Sequence, residues 1–242
     1  GDHFKTKQEA LEYCNEVLQT HPSVIIEEKF DGEEFSLQCL SDGKTVIATP
    51  PVQDHKRAFA DDKGPNTGGM GSYSCEDHLL PFLKKKDVED GVKITQKVAE
   101  ALHKETGQYY KGIMYAGLIK TKDGIKLLEY NARFGDPEAM NVLPILETDF
   151  VEICNAIINQ TLNKIKIKFA NKATVCKYLV PEGYPDTPLA NEKIEIGKVP
   201  ANAKLYYASV EQKENGLFTT SSRAIACLGI ADNLENAERI AE

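Results

Sequence analysis

The feature that most limits how this chain can fold is a run of glycines in its first third. Residues 64–71 hold four glycines and one proline. They lie in a longer stretch, residues 50–75, that lacks helical or strand periodicity. Glycine and proline both destabilise the interior of helices and strands, so we expect a long loop here. Loops of this length inside compact domains are usually functional or disordered, so this loop is a candidate site.

Regular elements are predicted on both sides of this loop from the spacing of apolar residues and from turn residues. The N-terminal predictions are a helix over residues 7–19, a strand over 24–28, and a hairpin of strands 35–40 and 45–49 that turns at Asp42 and Gly43. The C-terminal predictions are a helix over 88–106 that ends at Gly107, a hairpin of strands 113–121 and 125–131 that turns at Asp123 and Gly124, and a helix that begins after Asp149.

The texture of the sequence changes after residue 167. Short strands, Pro/Gly loops, a turn at Asn215 and Gly216, and a closing helix follow one another, which suggests a separate small α+β unit. We therefore divide the chain into residues 1–167 and residues 168–242. The predicted class is α+β, with an antiparallel sheet and flanking helices in the larger part.

Composition excludes several classes of protein. The formal net charge of −8 argues against a broad nucleic-acid surface, so any phosphate must be bound by a few placed cations, backbone amides and metal. The chain has neither an apolar run long enough to cross a bilayer nor the apolar stretch of a signal peptide. Its six cysteines are scattered without a C-x-x-C pair, which favours reduced thiols over zinc or disulfides. We expect a cytoplasmic protein that binds neither nucleic acid nor membrane.

The first candidate binding segment is the acidic stretch over residues 27–36. A predicted strand ends there in a glycine-bearing turn, and an acidic pair opens the next strand. Backbone N–H and C=O groups at such a hinge can read an adenine edge, and a carboxylate one turn later can accept hydrogen bonds from ribose hydroxyls. An acidic hairpin on a solvated face explains the same residues, and this segment alone favours that simpler reading.

The second candidate segment combines the glycine run with a compact group of cations. Lys56 and Arg57 stand shortly before residues 66–71. Glycines let the backbone approach a ligand closely, and successive N–H groups can form a nest for an anion. Phosphate or carboxylate binding and a merely flexible surface loop both remain open for this segment.

The third candidate segment is the end of the predicted strand 125–131. Glu129 and Asn131 are two residues apart, so both side chains project to one face of a strand. A carboxylate and an amide oxygen side by side are hard donors suited to Mg²⁺. Arg133 points the same way if the strand continues. Leu127 and Leu128 are apolar on both faces, which indicates an interior strand.

Taken together, these segments resemble one protein family. "IEEKFDGEEFS", "QDHKRAF", "GPNTGGMGSYS", "YAGLI" and "LEYNARFGDPE" are similar, in this order, to motifs of the ATP-grasp superfamily and most closely to its glycinamide ribonucleotide synthetase family. The "QDHKR" and "GPNTGGMG" pair is the specific part, because other ATP-grasp ligases lack it. The stretch "ATVCKYLVPEGYP" resembles the start of that family's C-terminal domain.

The resemblance implies a ligase of de novo purine synthesis. ATP phosphorylates the carboxylate of glycine, and the amine of 5-phosphoribosylamine attacks the glycyl phosphate to give glycinamide ribonucleotide, ADP and phosphate. The implied cofactor is Mg²⁺ or Mn²⁺ bound with ATP. Residues 1–167 would be the C-terminal portion of an ATP-grasp domain, and residues 168–242 the family's C-terminal domain.

The resemblance also implies a set of site residues. The backbone of the hinge would hold adenine, one carboxylate the ribose, two residues the metal and one arginine the transferred phosphate, while the remaining residues would face glycine and the phosphoribosyl group. The hinge residues are Glu27, Glu28 and Phe30, the ribose carboxylate is Glu34, the metal residues are Glu129 and Asn131, and the arginine is Arg133. The residues that would face glycine and the phosphoribosyl group are Lys56, Asn66, Thr67, Gly68, Gly69 and Asp136. Residues 115–117 lack the third acidic metal ligand that many ATP-grasp ligases carry there.

The chain departs from the family at its front. Family members begin with an α/β domain and a subdomain whose lysine and glycine-rich loop cover the ATP phosphates, and this sequence starts after that loop. We therefore expect a fragment that is inactive alone and belongs to a longer protein, one that can be fused to other purine-pathway domains. The alternatives are another ATP-grasp carboxylate–amine ligase and a non-catalytic nucleotide-binding module.

Overall fold

The structure, a computed structural model, describes residues 4–59, 61 and 63–242. The chain forms two compact units, which meet in the sequence between Gly32 and Glu33. No helix among the described residues is both long and apolar enough to span a bilayer. All six cysteines are free, as the scattered spacing predicted.

The first unit contains one helix and an extended tail. Helix α1 (Lys7–Val17) begins with a capping box in which the Thr6 side chain and the Glu9 side chain each accept from the other residue's backbone N–H. The strand predicted over residues 24–28 is wrong, because these residues pair with no strand in the described chain. The side chains of Ile25 and Ile26 are 85% and 78% exposed. A short apolar run forms a strand only when a neighbouring strand pairs with its backbone groups and its side chains pack against another element.

The described residues of the second unit form four α-helices, two short 3-10 turns and twelve strands. The helices are α2 (Lys85–Thr106), α3 (Glu138–Val142), α4 (Phe150–Ile158) and α5 (Leu234–Ala241), and the 3-10 turns are Leu143–Ile145 and Leu162–Lys164. The strands are β1 (Glu33–Ser41), β2 (Val46–Ala48), β3 (Gln53–Phe59), β4 (Lys63–Ser74), β5 (Gly112–Thr121), β6 (Gly124–Asn131), β7 (Ala173–Leu179), β8 (Lys193–Ile194), β9 (Ala203–Tyr207), β10 (Val210–Lys213), β11 (Gly216–Thr219) and β12 (Ile225–Ala231).

A four-stranded antiparallel sheet in the order β2-β1-β5-β6 carries the first core. Helix α2 covers one face, where Leu37, Ala116 and Leu118 are fully buried with Ala99 of the helix. Helix α4 contributes to a second cluster around Leu40. Both faces are therefore covered, which explains why β1 is buried from Phe35 onward instead of alternating between core and solvent.

A five-stranded antiparallel sheet in the order β3-β4-β7-β12-β9 carries the second core. Val175 packs with Ala237 and Ala241 of α5, and Cys176 packs with Leu228 and with Met140 of α3. Strands β4 and β7 pair from Gly71 to Ser74, so this sheet joins parts of the chain on both sides of residue 168. A smaller sheet has the order β10-β11-β8. The division at residue 168 stays a prediction.

The loop predicted over residues 50–75 is wrong, because most of this stretch is a β-hairpin. Strands β3 and β4 pair antiparallel, with Gln53 opposite Tyr73 and Phe59 opposite Lys63. Two register shifts interrupt the pairing, and these irregularities hide the alternation that periodicity depends on. β4 is held from its other side by β7, which offsets the low strand propensity of its glycines.

The other predicted elements agree with the structure to within a few residues. Helix α2 ends at Gly107, whose φ of 71° is the left-handed conformation expected of a glycine cap. The β5–β6 hairpin pairs Thr121 with Gly124. Asp149 caps α4 by accepting from two backbone N–H groups. These predictions are confirmed because each rests on a local capping or turn signal.

Candidate functional site

Glu129 and Asn131 lie on one face of β6, as their spacing predicted. Asn131 Nδ2 donates a hydrogen bond to Glu129 Oε1 at 3.2 Å. The amide oxygen of Asn131 and the second carboxylate oxygen of Glu129 take no part in this contact. The pair therefore offers adjacent hard oxygen donors at the end of a strand.

The interior position predicted for this strand is wrong, because β6 is an edge strand in the part of the chain that the structure describes. Gly117 pairs with Glu129 and Leu118 pairs with Leu127, so Leu128 is an extra, bulged residue. Leu128 is 37% exposed, while Leu127 packs against the core under α2. The two adjacent leucines reflect a bulge and not a strand buried on both faces.

The residues around this pair fit a divalent cation that shares its coordination with another ligand. Gly117 and Tyr115 lie opposite Glu129 and Asn131, so the neighbouring strand adds no third carboxylate. No group of three or more His, Cys, Asp or Glu side chains suited to a metal occurs among the described residues. Two hard oxygens suit Mg²⁺, which keeps several waters and is completed by substrate phosphates instead of an all-protein cage.

Lys56 lies on β3 between two carboxylates. Its Nζ atom is 3.8 Å from Oδ2 of Asp54 and 3.9 Å from Oε2 of Glu34. The Asp54 side chain is only 8% exposed, whereas Lys56 and Glu34 are 44% and 57% exposed. The structure thus brings the predicted ribose carboxylate within ion-pair distance of the predicted substrate lysine.

The predicted substrate residues of β4 form a bulge opposite Lys56. His55 pairs with Gly71 and Arg57 with Asn66, so four residues of β4, residues 67–70, face the single residue Lys56. We call residues 67–70 the β4 bulge. Thr67 Oγ1 donates to the carbonyl of Lys56 at 2.9 Å and accepts from the N–H of Gly69 at 3.1 Å.

Glycine is required at position 69 by both conformation and space. Gly69 has a φ of +108°, and a Cβ atom there would meet Pro137 Cδ at 2.7 Å and the carbonyl oxygen of Asp136 at 3.4 Å. A left-handed backbone of this kind favours glycine. The β4 bulge therefore lies directly against the segment that follows the proposed metal strand.

Arg223 links this segment to the β4 bulge. Its Nη1 atom donates to the carbonyls of Gly68 at 3.0 Å and Gly69 at 2.8 Å. Its Nη2 atom pairs with Oδ2 of Asp136 at 3.2 Å, and the Arg223 side chain is 15% exposed. The guanidinium also lies over the ring of Tyr178, 4.4 Å from its centroid, and the Tyr178 hydroxyl donates to Oδ1 of Asp136 at 2.7 Å. Asp136 is thereby held at both carboxylate oxygens.

A buried polar cluster lies beneath the site. Glu138 is 3% exposed and accepts a 2.7 Å hydrogen bond from the Tyr115 hydroxyl. Burial, followed by the nearby charge of Asp54, raises the pKa of Glu138. Burial also raises the pKa of Tyr115, with a further contribution from Glu138. The Oε1 atom of Gln38 accepts from the N–H of Gly135 at 2.7 Å, which fixes the turn before Asp136.

Four further predicted residues are Arg133 and the three hinge residues. β6 ends at Asn131, so the strand does not continue to Arg133, and Arg133 Nη1 donates to the carbonyl of Phe134 at 2.9 Å. The hinge residues Glu27, Glu28 and Phe30 belong to the first compact unit. Their proposed contacts with adenine stay predictions.

Sequence reasoning missed four residues that organise this region: Arg223, Tyr178, Tyr115 and Glu138. Glu138 is the last residue of the "LEYNARFGDPE" motif, so that motif could have identified it as a candidate site residue. Arg223 is 154 residues from Gly69 along the chain. No local pattern relates residues at such a distance, and a single arginine before an apolar strand is a weak signal by itself.

Comparisons with known proteins agree with this architecture. The family "Phosphoribosylglycinamide synthetase, ATP-grasp (A) domain" matches residues 4–139, and "Phosphoribosylglycinamide synthetase, C domain" matches residues 174–242. A phosphoribosylamine–glycine ligase of Methanosarcina acetivorans is 50% identical over 242 residues, which are 100% of this chain and 54% of the relative. The chain thus spans about half the length of the curated relatives it matches.

Solved structures show the same fold. The crystal structure of a phosphoribosylamine–glycine ligase from Thermotoga maritima matches 98% of this chain and 60% of its own, with a TM-score of 0.82 and 28% identity. A biotin carboxylase domain from Hydrogenobacter thermophilus, solved with MgADP, matches 93% of this chain and 48% of its own, with a TM-score of 0.59. At 15% identity the second likeness shows the fold alone. The predicted α+β ATP-grasp fold is confirmed, and the chain belongs to the phosphoribosylglycinamide synthetase family.

Proposed function

We propose that the full-length protein containing this chain joins glycine to 5-phosphoribosylamine. ATP phosphorylates the glycine carboxylate, and the free amine attacks the carbonyl carbon of glycyl phosphate. The carbon–oxygen bond to phosphate breaks, and the products are glycinamide ribonucleotide, ADP and phosphate. The protein binds only small-molecule substrates in this reaction.

One observation supports this proposal most. The "QDHKR" and "GPNTGGMG" segments, which distinguish this family from other ATP-grasp ligases, pair with each other around Lys56. Three features meet there: the Lys56 cation, the β4 bulge, and the Asp136 carboxylate that Arg223 joins to the bulge. A reaction that unites an acidic and an amine substrate needs a cation for the carboxylate and an anion for the amine.

For the nucleotide side of the reaction we keep the residues that the family resemblance implies. Glu129 and Asn131 would hold Mg²⁺ or Mn²⁺, which supplies charge neutralisation for the phosphates when bound. Arg133 would contact the transferred phosphate. Glu34 would accept hydrogen bonds from the ribose, and the backbone at Glu27, Glu28 and Phe30 would hold adenine.

The substrate side is assigned to the hairpin of β3 and β4. Lys56 would attract the carboxylate of glycine through its positive charge, and its neighbours Asp54 and Glu34 hold the ammonium in position. The backbone at Asn66, Thr67, Gly68 and Gly69 would approach glycine and the phosphoribosyl group closely. Asp136, held at both oxygens, would orient an amine. Catalysis is then mainly positioning and charge stabilisation, as expected for phosphoryl transfer.

The proposed function is tested by assaying the purified full-length protein with ATP, glycine and 5-phosphoribosylamine generated in the reaction mixture. Mass spectrometry should detect glycinamide ribonucleotide and ADP in equal amounts, and omission of any one substrate should abolish the nucleotide product. Replacement of glycine by another amino acid is the specificity control. ADP formation without glycinamide ribonucleotide under saturating substrates would contradict the proposal.

A further inference from the structure

The guanidinium of Arg223 makes more contacts than its place in the chain requires. Arg223 lies in the turn between β11 and β12, where its backbone carbonyl accepts from the N–H of Ser209 at 2.9 Å. That backbone contact shapes the turn and is independent of the side chain. The side chain reaches away from the turn to two carbonyls of the β4 bulge and to Asp136.

These contacts need the shape of a guanidinium. Nη1 donates to Gly69 while Nη2 pairs with Asp136, and the planar group lies over the Tyr178 ring. A lysine ammonium is a compact point charge on one nitrogen, so it cannot lie flat over the ring and donate from two separate nitrogens at once. The arrangement therefore depends on arginine and not on positive charge alone.

We propose that Arg223 is a positioning residue for the amino-acid and amine substrates, because it fixes the β4 bulge and the Asp136 carboxylate relative to each other. This inference rests on the proposed function, since both groups are assigned there to glycine and phosphoribosylamine. Without the guanidinium, the carbonyls of Gly68 and Gly69 lose their shared partner, and the left-handed backbone at Gly69 is left with the hydrogen bond from its N–H to Thr67 Oγ1. The nucleotide residues on β6 keep their own contacts.

The variant that tests this is Arg223→Lys in the full-length protein. We expect the Michaelis constants for glycine and phosphoribosylamine to rise about ten- to hundredfold, the effect of a small misplacement of reacting groups, while that for ATP stays unchanged. Arg239→Lys is the matched control, because the Arg239 guanidinium donates, among the residues that the structure describes, to the Asn236 side chain alone, on the same helix α5. Free guanidinium added to Arg223→Ala should restore part of the lost activity.

A second measurement separates positioning from overall stability. Amide hydrogen exchange at Gly68, Gly69 and Gly71 should be faster in Arg223→Lys than in the wild type, with exchange in α2 unchanged. Tyr178→Phe keeps the ring under Arg223 but removes one hydrogen bond to Asp136, so it should raise the same two Michaelis constants by less.

Three results would overturn the inference. Unchanged kinetics together with faster exchange would show a structural role only. A rise confined to the Michaelis constant for ATP would assign Arg223 to the nucleotide. Absence of ligation by the wild-type protein would refute the proposed function itself, and the inference with it, before any variant is compared.

Discussion

The hydroxyl of Tyr115 donates a 2.7 Å hydrogen bond to Oε1 of Glu138, joining the strand beside the proposed metal residues to the helix that follows Asp136. Glu138 is 3% exposed, and burial and the charge of Asp54 raise its pKa. A buried carboxyl of this kind makes the stability of the fold depend on pH.

The first prediction concerns Glu138→Gln. In the unfolded chain the carboxyl has its ordinary pKa of 4.5, below the raised folded value. Unfolding therefore releases a proton between the two values, and Glu138 lowers the free energy of unfolding as pH rises through this window. Glutamine keeps an acceptor for Tyr115 and removes the titration. The stability of the variant relative to the wild type should increase with pH from 4.5 upward and become constant above the raised pKa.

Denaturant unfolding at a series of pH values measures this difference. Glu147→Gln, the same change at an exposed carboxylate, is the control and should follow the wild type more closely. A pH-independent difference between Glu138→Gln and the wild type would mean that Glu138 has no raised pKa in the folded protein.

The second prediction concerns Asn141, which is fully buried. Its amide nitrogen donates to the carbonyl of Thr174 at 3.3 Å and to Thr174 Oγ1 at 3.1 Å, and its amide oxygen accepts from the Ser72 hydroxyl. Asn141→Leu removes these three hydrogen bonds, including the one that the buried Ser72 hydroxyl donates, and should lower the free energy of unfolding by about 2–4 kcal/mol. Asn163→Leu, on an exposed turn, should change it by less than about 0.5 kcal/mol. Equal effects of both variants in chemical denaturation would refute this role.

The third prediction concerns the proposed metal residues in the full-length protein. Glu129→Gln and Asn131→Ala should each lower turnover at limiting Mg²⁺ with little effect on folding, because both donors lie at an exposed strand edge. Steady-state rates over a Mg²⁺ titration measure the effect, and Glu105→Gln is the control for an exposed carboxylate at the end of α2. Wild-type rates for both variants at limiting Mg²⁺ would remove the metal assignment.

The fourth prediction concerns Gly69→Val. The new side chain would meet Pro137 within 2.7 Å at a φ of +108°, so the β4 bulge must shift. The Michaelis constants for glycine or phosphoribosylamine should rise more than that for ATP, when each of the three substrates is varied in turn. Gly197→Val is the control, because a Cβ atom there meets nothing within 4 Å. If only the ATP constant rose, the bulge would belong to the nucleotide.

Local sequence signals were enough to predict the elements that depend on near neighbours. The cap at Gly107, the cap at Asp149 and the turn before Gly124 all act within one turn of helix or hairpin, so a short window of residues contains the whole cause. The shared face of Glu129 and Asn131 follows in the same way from the two-residue period of a strand. The motifs were also sufficient to identify the family.

Features that depend on pairing or burial between segments far apart in the sequence could be read from the three-dimensional structure alone. Residues 50–75 form a hairpin because β7 pairs with β4, and residues 24–28 are not a strand because no described strand pairs with them. The adjacent leucines of β6 mark a bulge in an edge strand. Arg223 reaches Gly69 across 154 residues. In each case the outcome depends on whether a distant segment pairs with the backbone or charged group, and a distant partner leaves no periodic trace in the sequence around that group.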